Sequence, residues 1–364
     1  MWQLLENSQI VPTVLNSATS ATSGFANQLA KGCDIKIELE EIESREETYP
    51  LLSGFLYFIK NLILKSNIPA NLGLGFRSAN SVLGFQPFLQ FLVNNVYLKI
   101  FFRSYKNQAE KWELAHTMLD IFYLLILKYD IDKQDFLNQE PSSSANLSMI
   151  QISNFKSPIS NSPGYRLIYD LVHDGPIVRM LFQILNESLS HLLDYTSKND
   201  EAIQNSALAA LKIISLVIEK QKLFIENMKL ANLNIDCTGI EKLIITINPQ
   251  TNKADYLMWI LRFIQFNGTL MHHAHYALNI VYLLSNYSLV NSQFLNLFLK
   301  SCLSVEEKCE LTKSFVDFVE YDEFVESGAG QDRDLLLDAS LADESLCGDE
   351  GVTRELGIVR ILHR

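Results

Sequence analysis

The stretch Phe88-Leu-Gln-Phe-Leu-Val-Asn-Asn-Val-Tyr-Leu-Lys-Ile-Phe-Phe102 decides the fold. Leu89, Leu92, Val93, Val96 and Ile100 recur at steps of three and four, which lines them up on one face of a helix. Phe88, Phe91, Leu98 and Phe102 supply a second apolar face. A helix that is apolar on two sides cannot turn either to water, so it must lie between neighbouring helices. The spacing predicts a helix beginning near Phe88.

The same period extends outward in both directions. Trp112, Ala115, Leu119, Phe122, Tyr123 and Ile126 form a stripe, with Glu110, Glu113, Thr117 and Asp120 opposite. Val178, Leu181, Phe182, Leu185, Leu189, Leu192 and Leu193 form another, as do Leu211, Ile214, Ile218 and Ile225, then Leu257, Ile260, Leu261 and Ile264. The punctuation is helical too. Asp174-Gly175-Pro176 reads as a cap with proline at the first helical position, where its missing N–H costs nothing. Asn248-Pro249-Gln250-Thr251-Asn252 reads as a turn between two helices. Ser304 with Glu307 reads as a capping box before Leu311, Phe315, Val316 and Val319. The fold class is therefore all-α. No fixed repeat length of the tetratricopeptide or ankyrin kind is present. Helices apolar on two faces and following one another directly predict an α-solenoid of irregular HEAT-like or armadillo-like pairs. A closed helical bundle is the competing architecture.

The chain divides into an opening helix, polar loop and acidic segment (1–48), a first helical block (49–138), a serine-rich loop (139–164), a second helical block (165–326), and an acidic loop with terminal helices (327–364). Within the first of these, Ile35-Lys36-Ile37-Glu38-Leu39 alternates apolar and polar residues and reads as extended. Val352, Leu356, Val359, Ile361 and Leu362 read as a terminal helix lacking a polar capping face, so the solenoid is expected to continue past Arg364.

Composition narrows the function. Over 364 residues, hydrophobic side chains make up 48% and charged ones 20%, ample for a continuous core. The net charge of −12 disfavours direct nucleic-acid binding, which needs a basic surface to displace counterions, and equally an electrostatic hold on anionic lipid. Proteins are the expected partners. Cys33, Cys237, Cys302, Cys309 and Cys347 are scattered without a CxxC pair, which points to a reducing compartment. No secretory signal opens the chain at Met1-Trp2-Gln3. Phe263 to Leu299 lacks Asp, Glu, Lys and Arg, but asparagines and histidines recur through it, so it reads as a buried helix pair with no membrane insertion.

A search for chemistry returns little. No phosphate-binding glycine loop, nucleophile elbow, HExxH or EF-hand pattern occurs. His272 and His275 lie three apart and could share a face toward a zinc ion, with Cys302 and Cys309 further on. Nothing at metal-ligand spacing completes the set, and the histidines read as a semi-exposed helix face. Phe85, Phe88, Phe91, Tyr97, Phe101, Phe102 and Tyr105 could line a peptide groove and read mainly as core. No catalytic, cofactor-binding or metal-ligating residue is assigned, and no enzymatic activity or cofactor is expected.

Several ordered segments carry a resemblance. Ile35-Lys-Ile-Glu-Leu-Glu-Glu-Ile-Glu-Ser-Arg-Glu-Glu-Thr-Tyr-Pro50, Asn71-Leu-Gly-Leu-Gly-Phe-Arg77 and Gly84-Phe-Gln-Pro-Phe-Leu-Gln-Phe-Leu92 come first. Ala109-Glu-Lys-Trp-Glu113, Ser162-Pro-Gly-Tyr165 and Ile247-Asn-Pro-Gln-Thr-Asn-Lys-Ala-Asp255 follow in the same order. Together they resemble the largest inner-ring scaffold nucleoporins of the nuclear pore complex. The resemblance covers most of residues 1–325, with an apparent insertion at Ser78–Leu83, and fades past residue 327. It implies an internal piece of a longer α-solenoid without catalysis, at the nuclear envelope. It also implies partners among the flexible linker nucleoporins, and a part in pore assembly and nucleocytoplasmic transport. The chain has no Phe-Gly dipeptide, which suits a scaffold. The alternative is a HEAT-like transport receptor or coat adaptor binding protein cargo.

Overall fold

The computed structural model describes residues 2–8, 10, 35–74, 83–137, 162–193, 201–231, 239–264, 270–286, 293, 294 and 297. The capping box at Ser304, the terminal helix after Gly351, the loop 16–32 and most of the loop 139–164 lie outside them. Residues 1–299 form one compact unit. Its longer helices are α1 (Pro50–Lys65), α2 (Gln86–Phe91), α3 (Gln108–Leu127), α4 (Pro163–Leu171), α5 (Pro176–Leu193), α6 (Glu201–Leu230), α7 (Ile240–Ile245), α8 (Asp255–Ile264) and α9 (Met271–Asn286). Among the described residues there is no strand, and one isolated bridge joins Asn248 to Lys253.

Four of these helices make a row in which each packs on the next: α1 on α3, α3 on α6, α6 on α9. Side-chain bridges fix their direction. Between α1 and α3, Lys60 meets Asp120 and the Lys128 ammonium reaches the Ile63 carbonyl at 2.5 Å. Between α3 and α6, Ser206 donates to the Trp112 carbonyl at 2.9 Å and Lys220 to that of Ile126 at 2.8 Å. Between α6 and α9, the His273 ring donates to the Gln204 carbonyl at 2.7 Å and Asn279 to Ser215 at 2.8 Å. Residue numbers rise together across every joint, so the four helices are parallel.

The returning elements run the other way. The 97–102 segment packs on α3 with Tyr97 against Phe122 and Phe101 against Trp112. α5 follows the same sense, its Ile177 carbonyl accepting from Tyr97 at 3.3 Å and its His191 ring set edge-on to Trp112. α8 closes back on α9, with Phe263 stacked on His273. α5 packs on α6 and α8, which gives a second, antiparallel layer. Two layers of helices, each parallel within itself, are what a helical solenoid requires, because each helix is buried by its neighbours on two sides.

Several local expectations hold. α5 begins at Pro176 as expected, and the Asp174 carboxylate just ahead accepts twice from the Arg179 guanidinium at 2.8 and 2.9 Å. The Asn248–Asn252 turn separates α7 from α8, with Asn252 at φ 53°. Of the uncharged run from Phe263 to Leu299, α9 is one helix and packs on α8, and most of the rest lies outside the described residues.

One expectation holds in a refined form, and a second needs correction. The stretch 88–102 stays helical but is not uniform: α2 gives way to a π-helix at Leu92–Val96 and a 3₁₀-helix at Tyr97–Phe102. The change of pitch keeps Phe88, Leu92, Val96, Tyr97 and Ile100 buried while turning Phe102 out to 79% exposure. It also frees carbonyls that Arg103 and Tyr105 then cover, at Asn95 and Ile100. The correction concerns residues 35–46, which are helical, not extended: Ile35–Ile37, a π-helix at Glu38–Glu43, then Ser44–Glu46. Leu39 and Glu43 are both buried, and Ser44 donates to the Leu39 carbonyl at 2.6 Å. Burial of residues four apart overrides the two-residue alternation that suggested a strand.

Candidate interaction surface

Glu43 shows how the charged residues are used. Its carboxylate, 4% exposed, accepts from the backbone N–H groups of Leu51 at 2.6 Å and Leu52 at 3.2 Å. These are orphan donors of the first turn of α1, where Tyr49 precedes Pro50 and supplies no side-chain cap. Burial pushes the Glu43 carboxyl above its ordinary range, and the two amides pull it back. Glu110, from the first turn of α3, accepts from the Tyr49 N–H at 2.6 Å.

Lysines do the converse at the other ends. Lys128 reaches the Ile63 and Leu64 carbonyls of α1 at 2.5 and 3.0 Å. Lys220 reaches the Ile126, Leu127 and Tyr129 carbonyls at the end of α3 at 2.8, 3.1 and 2.6 Å. In each case the ammonium comes from the next helix along the row. Because the row is parallel, every positive helix end faces one edge and every negative end the other. Carboxylates serve the first edge and lysines the second. Burial lowers the Lys220 ammonium from its ordinary value, and Asp130 and Glu219 oppose that.

Between the edges runs a polar strip over the row. Asp120 takes Lys60 and lies 3.3 Å from the His116 ring, while Lys212 sits 5.6 Å over the Tyr276 ring. Burial lowers both His116 and Lys212, with the Asp120 carboxylate pulling each back. Lys60 and Asp120 are each about one quarter exposed, a partly solvated salt link. Nothing here pairs a nucleophile with a base, so the strip staples helices together.

The residues singled out from sequence separate. His273 is buried, whereas its neighbours His272 and His275 are exposed, and His275 sets its ring edge-on to Tyr276. Cys302 and Cys309 lie outside the described residues, and among these no group of three His, Cys, Asp or Glu could hold a metal ion. Of the aromatic run, Phe85, Phe88, Phe91, Tyr97 and Tyr105 are core and Phe102 is exposed. Lys111 lies 5.1 Å over Phe101 and 4.7 Å over Trp112, and 3.8 Å from Glu187. Among the described residues α6 alone is long and apolar enough to cross a membrane, and 61% of its most apolar stretch is buried among its neighbours. The lysine and glutamate caps were missed from sequence, since their partners lie up to 94 residues away.

Comparison with known proteins agrees with this architecture. A family model, Nup192, described as "Nuclear pore complex scaffold, nucleoporins 186/192/205", matches residues 1–333. Nuclear pore complex protein Nup205 of Homo sapiens is 31% identical over 270 residues, 74% of this chain and 12% of that protein. Nup205 of Drosophila melanogaster is 28% identical over 341 residues, 93% of this chain and 14% of its own length. NUP205 of Arabidopsis thaliana is 26% identical over 227 residues, 61% of this chain and 10% of its own. The chain thus spans between 10% and 14% of the length of these relatives. With the match running through both helical layers, the chain belongs to the family of nuclear pore complex scaffold nucleoporins 186/192/205.

Proposed function

We propose that this chain is a solenoid segment of a non-enzymatic scaffold of the nuclear pore complex inner ring at the nuclear envelope. In that role it binds flexible linker nucleoporins and supports pore assembly and nucleocytoplasmic transport. The observation that carries the reading is the family match over residues 1–333, laid on a parallel row of helices. Glu43, Glu110, Lys60, Asp120, Lys128 and Lys220 in and beside that row serve helix ends and helix joints, which suits a scaffold. A net charge of −12 favours protein partners over direct contact with nucleic acid or an electrostatic hold on anionic lipid, and the polar residues recurring through Phe263–Leu299 disfavour membrane insertion. In the same proposal, residues 139–164 join the helical blocks 49–138 and 165–326, residues 1–48 open the first, and 327–364 are an acidic loop with terminal helices of the longer solenoid.

The test is localisation of the tagged full-length protein together with identification of what co-purifies. A punctate nuclear rim with inner-ring and linker nucleoporins is expected. Diffuse staining with cargo or coat proteins would replace this reading with that of a transport receptor or coat adaptor.

A further inference from the structure

The helical segment 35–46 has a completed buried side and an uncovered one. Its middle, Glu38–Glu43, is a π-helix, whose i→i+5 hydrogen bonds give about 4.4 residues per turn, or roughly 80° between successive side chains. Leu39 and Glu43 fall together on one side, 1% and 4% exposed. Ile37 and Ile42 fall together on the other side, 50% and 44% exposed. In an α-helix residues five apart would diverge by about 140°. Counted from Ile37, the last residue before the π-helix, the wider pitch brings Ile42 to within about 40° of it, so the two share one exposed side. Isolated exposed apolar residues are ordinary on protein surfaces, but a pair brought together by an unusual helix pitch is not.

The charge around the pair is predominantly negative. Glu40, Glu41 and Glu46 are exposed and Glu38 and Glu47 half-buried, against Lys36 and Arg45. Glu40 accepts from the Asn95 side chain at 3.1 Å, so the ridge is tied to the π-helical part of 88–102 beside it. Glu43 is engaged inward with α1 and takes no part in the outer surface. An acidic segment approaching the isoleucines would meet like charge. A basic segment with apolar residues would bury Ile37 and Ile42 while its cations met Glu40, Glu41 and Glu46.

We propose that the ridge formed by Ile37 and Ile42 with Glu40, Glu41 and Glu46 is a docking surface for a short basic, apolar segment of a partner protein. The patch is far below the area of a stable interface, so the contact is weak, with Kd on the order of micromolar or above, and serves as one point of a multipoint attachment. It does not rest on the pore-scaffold reading, because it is measured on the purified chain.

The probe is a fluorescent amphipathic peptide of lysine and leucine, titrated into the full chain and followed by anisotropy. Its mirror, with glutamate for lysine, is the control. The basic peptide should bind and the acidic one should not. Ile37→Ser with Ile42→Ser should weaken binding about tenfold, and Glu41→Gln with Glu46→Gln should weaken it and flatten its salt dependence. Both pairs lie on the surface, so each variant should melt as the parent does. Equal binding of the two peptides, no binding, or binding untouched by both variants would overturn the proposal, the last showing general attraction to an acidic chain. If the isoleucine variants melt early, Ile42→p-benzoylphenylalanine in the otherwise native chain replaces them. Photocrosslinking of the basic peptide at that position is expected, and crosslinking only within the chain would overturn the docking surface.

Discussion

A methyl group added at Gly164, near the start of α4, would run into the Cβ of Tyr129 and the carbonyl of Leu125 at the end of α3. At Gly54, inside α1, the same methyl group would meet nothing within 4 Å. Helix propensity favours alanine at both places by roughly 0.5–1 kcal/mol. Gly54→Ala should therefore stabilise by about that amount, while Gly164→Ala should destabilise by about 1–3 kcal/mol through overpacking. Denaturant melts of the two variants check both signs. Glu43 offers a second case at this scale: Glu43→Ala leaves two N-terminal amides of α1 unpaired and should cost about 1–2 kcal/mol. His273 sets a pH dependence. Burial lowers its pKa from the ordinary 6.5, helped by His272 and Lys212 and opposed by the Gln204 carbonyl. Below pH 6.5 the unfolded chain takes up a proton that the folded one resists, so this contribution is intact above 6.5 and lost as pH falls through it. Tm should drop on acidification from about pH 7.5 to about 5.5, and His273→Asn should make that slope shallower.

Among the helices, what the sequence makes legible depends on how far each one's partners lie along the chain. The start of α5 could be read because Asp174, Gly175 and Pro176 carry their own signal, and Asp174 finds Arg179 five residues on. The breaks in 88–102 could not, since the carbonyls released by the π and 3₁₀ turns are covered by Arg103 and Tyr105 only after the chain bends back. Residues 35–46 misled for a related reason: their alternation is genuine, but burial of Leu39 and Glu43 against α1 outweighs it. Lys220 looks like any surface lysine of an amphipathic helix, though it holds three carbonyls at the end of α3. Lys220→Met should cost about 1–2 kcal/mol, and Lys220→Arg, which keeps the charge, should recover part of the loss. Thermal melts of the pair provide the check, and equal losses would mean that charge at the helix end is not the cause.

For the molecule as a whole, the two-faced apolar helix in 88–102 was enough to predict stacking, and the stack is a row in which α1 touches α3, α3 touches α6 and α6 touches α9. What no single stretch carries is that the row is parallel, because direction is fixed by joints such as Lys60 to Asp120 and Ser206 to Trp112. Contacts confined to neighbours make stability local along such a row. Hydrogen exchange on Glu43→Ala should therefore quicken in α1 and α3 and remain as in the parent in α8 and α9. Uniform quickening throughout would show that the unit opens as one. The lysines at two of the three joints have a further, mechanical consequence. Lys128 and Lys220 tether one end of the α1–α3 and α3–α6 pairs by a long flexible arm, and in the α3–α6 pair the short Ser206 hydroxyl on the Trp112 carbonyl pins the other end. A joint pinned at one end and sprung at the other is a hinge, and the compliances of hinges in series add. A long array of such joints would flex by many small angles under load without any one interface breaking.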